Sequence, residues 1–481
     1  MFVVSQNIGH RDNFISVKLV SYFLVLISFV TVITFSFPGH LPFDAVVQLY
    51  EGMTGRFESF HPPAISSIWA LLVRLANGTW LILLLQNSLW FLSILLTIKL
   101  PANRPVLTLL PLTLCLFWPP ILNFQGVIVK DVSFACLCIF GFTQLHLASI
   151  SSAQNGRSLR IIFQLAIGLT VLVLAASTRQ QGVIALAIGV VISTIHLAKM
   201  IPDRLPLLGS IALAGSACGI FLALVMQLVS NVPQWVTGHR SAIDQRTGIY
   251  IVMRYDVAGI LFRVPDMDRT ELERGGYDVD ALTSTVEEYY SGERTDFFDA
   301  HLGDNPRAAN FAVPIQSFSD LFDSMVRIWA RAVMQYPKAY LSHRLESFSW
   351  LIGLRDESKC IPVIVGRTEG PPDMRAALGL DDPVTQRDTV ILETLFPLTH
   401  TLIYRHWVYM LLNCGILLFC ALRFRPGDEA ILGLSATAIL ITISFLPIGL
   451  ACDFRYLYLP MIACPFSLLM RARGQTATAQ I

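Results

Sequence analysis

Two apolar runs sit almost back to back: Ile161-Ile-Phe-Gln-Leu-Ala-Ile-Gly-Leu-Thr-Val-Leu-Val-Leu-Ala-Ala-Ser177 and Gly182-Val-Ile-Ala-Leu-Ala-Ile-Gly-Val-Val-Ile-Ser-Thr-Ile-His-Leu-Ala198. Each approaches the roughly 20 helical residues needed to cross a hydrocarbon core about 30 Å thick. Only Thr178-Arg179-Gln180-Gln181 separates them, so the chain turns at once and re-enters the bilayer. Similar runs lie near 19–37, 79–98, 105–121, 132–149, 206–230, 401–422, 428–450 and 456–470. The expectation is an all-α polytopic membrane protein of about ten transmembrane helices.

Composition agrees. The 481 residues are 54% hydrophobic and 14% charged, with a mean hydropathy of +0.59. A single soluble domain is excluded, because globular chains carry about a quarter charged residues. A net charge of +1 supplies no basic field for nucleic acid. The nine cysteines fall mostly in apolar stretches, and their spacing shows neither a disulfide framework nor a zinc site. The first run lacks a small-residue cleavage site and reads as a retained span rather than a signal peptide.

Lysine and arginine in short loops set orientation. With ten spans, Arg11, Lys18, Lys99, Arg104, Arg157, Arg160, Lys199, Arg204, Arg423, Arg425, Arg471 and Arg473 share one side. Both termini are then cytoplasmic, in a multi-pass protein of the cytoplasmic membrane. Residues 64–76 are apolar but too short to span, and read as an interfacial or re-entrant helix with Trp69 and Arg74 at the headgroups.

The chain divides into an N-terminal transmembrane module over 1–230, with a first outer loop at 38–78, a polar region over 231–400, and a C-terminal module over 401–481. About 25 of the 34 acidic residues and about 17 basic ones lie in 231–400, which reads as a large extracytoplasmic region. Its stretch Asp266 to Asn310 reads as a mobile loop. Helical spacing runs through Phe318, Leu321, Phe322, Met325, Ile328, Trp329 and Val333, and Tyr336-Pro337 breaks it before a second amphipathic piece, Tyr340 to Leu354. The polar end 472–481 reads as a frayed tail.

Ionisable residues at span ends are costly unless paired, wet or useful. Asp44, Glu51, Glu58 and His61 in the first loop, Lys130-Asp131, Arg179 and Asp453-Phe454-Arg455-Tyr456 all fall at the same face in this topology. Asp44, Gln48 and Glu51 share one face of a short helix bracketed by Pro42 and Gly52. Each group also has a bland reading. Asp44 would cap that helix. Lys130-Asp131 would be an interface anchor. Arg179, an outer cation suited to an anion such as phosphate, would pair with Asp131 or Asp453. Asp453 and Arg455 would form a turn pair, and His343-Arg344 a solvated helix face.

Asp44 with Gln48 and Gly52, then His61-Pro62-Pro63, resembles the first-loop signature of polytopic GT-C glycosyltransferases, a superfamily that includes protein O-mannosyltransferases and the lipid A aminoarabinose transferase. Lys130-Asp131, Arg179-x-x-Gly182, Tyr336-Pro337-x-x-Tyr340 and Asp453-x-Arg455-Tyr456 follow in an order similar to that of bacterial members. The resemblance implies sugar transfer from a polyprenyl-phosphate donor to an extracytoplasmic acceptor. Asp44 would then be the catalytic base or acceptor-orienting carboxylate, with Asp131 or Glu51 as the second carboxylate. Lys130, Arg179 and Arg455 would meet the donor phosphate, and Gln48, Tyr50, His61, Asp453 and Tyr456 would complete the substrate-binding set. No diacidic motif accompanies Asp44, so participation of a divalent cation stays open. Three other readings compete: an O-antigen-type polymerase or ligase, with its key residues in the large loop; a transporter or flippase, for which inverted repeats and midplane polar groups are expected; and a non-enzymatic scaffold.

Overall fold

The computed structural model describes residues 2–57, 61–102, 105–155, 158–201, 205–239, 246–302, 319–367, 369–380 and 384–474. Glu58, Arg104, Arg157, Arg204, residues 303–310, Phe318 and the tail after Gly474 lie outside them, as does the side chain of Arg11. Among the described residues the chain is all helical apart from isolated bridges joining His40 to Val127 and Arg294 to Ala451.

The first part runs through α1 (Phe2–Ser36), α2 (Phe43–Thr54), α3 (Pro63–Ala76), α4 (Trp80–Ile98), α5 (Leu109–Phe117), α6 (Pro119–Gln125), α7 (Lys130–Asn155), α8 (Leu159–Thr178), α9 (Gly182–Met200), α10 (Leu207–Ser230) and α11 (Val232–Thr237). Among the described residues, seven helices are long and apolar enough to cross a membrane: α1, α4, α7, α8, α9, α10 and α21 (Asp428–Ile448). Helices α5 and α6 meet at 49°, where Pro119 follows Trp118, and make an eighth span if the bent pair crosses as one. The expected count of ten is thus seven or eight. The expected spans at 401–422 and 456–470 are α20 (His406–Leu422) and α22 (Tyr458–Arg473), of 17 and 16 residues. At about 1.5 Å per residue they reach only about 25 Å.

Helix α22 is short because its surroundings are protein. Almost every side chain from Tyr458 to Met470 is buried in the main apolar core, beside α7. Helix α7 is the hub, with 89% of its apolar window buried against 17% for α10, which faces outward. Such helices are apolar all round because one side meets lipid and the other meets neighbours.

Between α10 and α20 the chain forms α12 (Thr247–Arg263), α13 (Thr270–Arg274), α14 (Val279–Tyr289), α15 (Asp296–Leu302), α16 (Ser319–Gln335), α17 (Pro337–Leu351), α18 (Pro372–Leu378) and α19 (Gln386–Leu395). The expected break at Tyr336-Pro337 separates α16 from α17. The segment from Asp266, expected to be a mobile loop, is packed as far as Phe298: Met267, Leu272, Tyr277, Val279, Leu282, Val286 and Phe298 join Met325 and Ile328 in a second core. Most of its few apolar residues face inward, Phe297 being the exposed exception, a pattern that raw composition does not reveal. Trp69 is likewise buried in a third core between α2 and α3 instead of lying at headgroups, and Arg74 donates to Val236 O at 3.0 Å and Met53 O at 2.9 Å.

Candidate functional site

Helix α2 begins after Pro42, and the carboxylate serving its first turn is Glu369, whose Oε2 accepts from Phe43 N at 3.1 Å. Asp44 is therefore not the cap. Its Oδ2 instead meets Arg455 Nη2 at 2.7 Å, joining residues 411 apart in sequence. The helix runs on through Gly52 and stops at Gly55, where φ is +72°. Gly52 serves a close crossing: a Cβ there would lie 2.0 Å from Ser66 O of α3.

The Arg179-x-x-Gly182 spacing has a similar cause. A Cβ on Gly182 would come within 2.7 Å of Ala175 O, so only glycine permits the tight turn from α8 into α9. That turn aims Arg179 inward. Its Nη1 lies 2.7 Å from Asp131 Oδ1 and donates to Tyr456 O at 3.0 Å, while Nε donates to Gln181 Oε1 at 3.1 Å. The guanidinium also stacks over Phe445 at 5.0 Å from the ring centre. The expected alternative, an ion pair with Asp131, is what forms, and it leaves Nη2 out of these contacts. Asp131 is buried in this pair, so Lys130-Asp131 is more than an interface anchor.

The third contributor is the connector 449–456 between α21 and α22, which is held almost residue by residue. Gly449 O accepts from Arg344 Nη1 at 2.8 Å and Leu450 O from Thr295 N at 2.8 Å. Cys452 is disulfide-bonded to Cys360, and Phe454 N donates to Cys360 O at 2.8 Å. His406 Nε2 meets Phe454 O at 3.0 Å. Asp453 accepts from Arg294 Nη2 at 2.6 Å and from Arg455 Nη2 at 2.8 Å. The expected self-contained turn pair is therefore open, with Arg455 reaching both Asp453 and Asp44. The disulfide corrects the sequence reading; its cysteines are 92 residues apart, and spacing carries no trace of it.

The α8–α9 turn and the connector, with the start of α7, the end of α21 and α12, border a cavity of about 610 Å³. Lys130, Arg179 and Arg246 are its cationic lining, with Asp131, Gln180, Gln181 and Tyr456, while Ile249, Phe445 and Ile448 supply apolar wall. Ile249 is 56% and Ile448 40% exposed, so the apolar wall opens outward. Lys130 Nζ donates to His61 Nδ1 at 2.6 Å. Burial and the neighbouring Lys130 push His61 down to about 3, which keeps the ring neutral and Nδ1 an acceptor at pH 7. Burial alone would raise the Asp44 carboxyl, but Arg455, then His61 and Lys130, outweigh it and hold it well below the usual carboxylate range.

Asp44, His61, Lys130, Asp131, Arg179, Asp453, Arg455 and Tyr456 thus converge at one end of the bundle. Of these, Lys130, Asp131, Arg179 and Tyr456 line the cavity, whereas Asp44, His61, Asp453 and Arg455 are outside its lining, as are Gln48, Tyr50 and Glu51; Gln48 and Glu51 are buried, and Gln48 Nε2 donates to Asp44 O at 3.0 Å. Asp131 is the carboxylate of the cavity lining, and neither Asp44 nor Glu51 belongs to it; Asp44 is tied to the site through Arg455. Sequence reasoning missed Arg246, Arg294 and Glu369, which sit in polar stretches where one charge looks like another. It also misjudged His343 and Arg344, which are fully buried. Among the described residues no group of three or more His, Cys, Asp or Glu is arranged to hold a metal ion.

Set against family models, curated proteins and solved structures, the chain finds no match. On its own sequence and structure it is an all-helical, multi-pass integral membrane protein with seven or eight candidate spans among the described residues and a charged cavity at a bundle end.

Proposed function

We propose that this protein is a membrane glycosyltransferase of the GT-C type that moves a sugar from a polyprenyl-phosphate donor to a hydroxyl-bearing acceptor outside the cytoplasm. The observation that carries the reading is the composition of the cavity. Three cations beside an apolar wall that opens outward suit a ligand with a phosphate head and a lipid tail. The Cys360–Cys452 disulfide adjoins the same cluster, and disulfides persist in oxidising compartments, which supports placing this end away from the cytoplasm.

In the proposed reaction the acceptor oxygen forms a bond to the anomeric carbon as the bond from that carbon to the phosphate oxygen breaks. Lys130, Arg179 and Arg246 stabilise the charge that gathers on the leaving phosphate. Asp44, kept ionised by Arg455, is a weak base. It orients the acceptor hydroxyl and takes its proton late, once the oxygen has become acidic through bonding to carbon. Asp453 holds Arg455 in place through the 2.8 Å contact.

A photoactivatable polyprenyl-phosphate probe on the purified protein in nanodiscs tests this. Labels are expected on peptides carrying Lys130, Arg179, Ile249 and Tyr456, and D44N should retain labelling while losing transfer. Labels spread along the middle of the bundle, with substrate crossing the bilayer, would replace the enzyme with a transporter.

A further inference from the structure

Between the cavity and the second apolar core lies a polar group that the proposed chemistry does not use. Asp256 on α12 is fully buried. Its Oδ1 lies 2.5 Å from Arg344 Nε and 3.4 Å from His343 Nε2, and its Oδ2 accepts from Trp329 Nε1 at 2.8 Å. Arg344, on α17, is 2% exposed and donates to main chain from both amino groups: Nη1 to Gly449 O at 2.8 Å and Nη2 to Val252 O at 3.3 Å. Val252 belongs to the α12 wall of the cavity, and Gly449 immediately precedes Leu450 in the opposite wall.

We propose that Arg344, locked by Asp256, is a positioning residue that sets the separation of α12 from the 449–456 connector and so the width of the cavity. One planar guanidinium bridges the two walls, and no other side-chain type offers such a rigid fork of donors. The carboxylate fixes the third edge, so the guanidinium cannot swing without leaving Asp256 an unpaired buried charge. Burial pushes His343 down to about 4, against the pull of Asp256, so that ring is neutral at pH 7 and Arg344 alone balances the carboxylate. Trp329 and His343 steady the carboxylate from α16 and α17, tying the cavity width to the second core.

The functional part of this inference rests on the glycosyltransferase reading; the geometric part does not. The test uses full-length protein in nanodiscs with spin labels attached to azidophenylalanine at positions 249 and 448, the exposed residues of the two walls. Lysine lacks the fork, so R344K should move or broaden the distance distribution relative to wild type, with membrane insertion retained and the thermal midpoint lowered by the lost buried hydrogen bonds. W329F, which removes one donor from Asp256, should change the distribution in the same way by less, and it keeps the test available if R344K does not accumulate. In a transfer assay R344K should raise the KM for polyprenyl-phosphate donor about tenfold with a smaller fall in kcat, a split that simple loss of folded protein does not produce. Distributions identical to wild type in both variants would overturn the positioning role. A changed distribution in a protein that transfers no sugar would leave Arg344 as the spacer and remove the glycosyltransferase reading instead.

Discussion

The two ends of the helix bundle both bury arginine and aspartate, yet they use them in opposite ways. At the end where α7 finishes and α21 begins, Arg471 pairs with Asp428 and donates to Arg423 O at 2.7 Å, and Arg473 donates to Ile98 O at 3.2 Å. His146 Nδ1 meets Gly427 O at 2.8 Å, and His196 Nε2 meets Ser149 Oγ at 2.8 Å. Most polar groups there close a loop or secure a helix end through main-chain carbonyls, while His196 joins Ser149 between two helices and Arg471 pairs with Asp428. At the other end the cations face carboxylates and line a cavity. Buried charge alone therefore does not mark a site; charge satisfied by side chains around open space is the better sign.

Substituting one aspartate at each end separates the two uses most widely. D44N keeps the volume but removes the charge that orients the acceptor, and should lower turnover by about 10²–10⁴-fold, with a smaller loss of stability than at the other end because Arg455 keeps its pair with Asp453. D428N leaves Arg471 buried without its partner, and should cost about 3–5 kcal/mol of stability while turnover per folded molecule is retained. Transfer assays and thermal unfolding on the same preparations decide. Equal effects on both properties at both ends would erase the contrast.

The next largest effect concerns pH. In the native protein the Asp44 carboxyl is held below its ordinary range, so its charge, and the stability its ion pair contributes, are present above the unfolded-state value and lost only as pH falls through the lower folded value. Activity should show no acid limb from Asp44 between pH 5 and pH 8. In R455Q the main force holding the carboxyl down is gone and burial, which raises it, prevails. The acid limb should then climb toward neutrality, so that activity at pH 5 falls about tenfold or more below that at pH 8. A flat profile in R455Q would show that Arg455 does not govern the carboxylate.

Much of this architecture was legible in the sequence because bilayer thickness acts as a ruler. Seven apolar runs of adequate length became seven candidate spans, whereas 401–422 and 456–470 became shorter helices, α22 because protein rather than lipid surrounds it. The positive-inside count was less informative than it looked: Arg471 and Arg473 are buried fixtures, not headgroup cations. Asp44, Lys130, Arg179, Asp453 and Arg455 were legible because an ionisable residue at the end of an apolar run stands out against its background. Arg246, Arg294 and Asp256 were not, since in a polar segment only tertiary contact distinguishes a buried ion from a solvated one. Gly52 shows the same limit from the other side. It read as a helix stop, while its actual constraint is Ser66 O on another helix.

The smallest expected effect tests how far the charged end really differs from the other. Arg179 belongs to both categories: it is fixed by Asp131, Gln181 and the Tyr456 carbonyl, as a structural arginine would be, yet it lines the cavity. R179K preserves the positive charge opposite Asp131 but has no second amino group to offer a phosphate and no flat face for Phe445. If Arg179 contributes to the donor site, R179K should raise the donor KM by about threefold to tenfold, with kcat reduced less and stability nearly unchanged. A lowered thermal midpoint with unaltered donor dependence would move Arg179 into the class of Arg471, and the phosphate site would contract to Lys130 and Arg246.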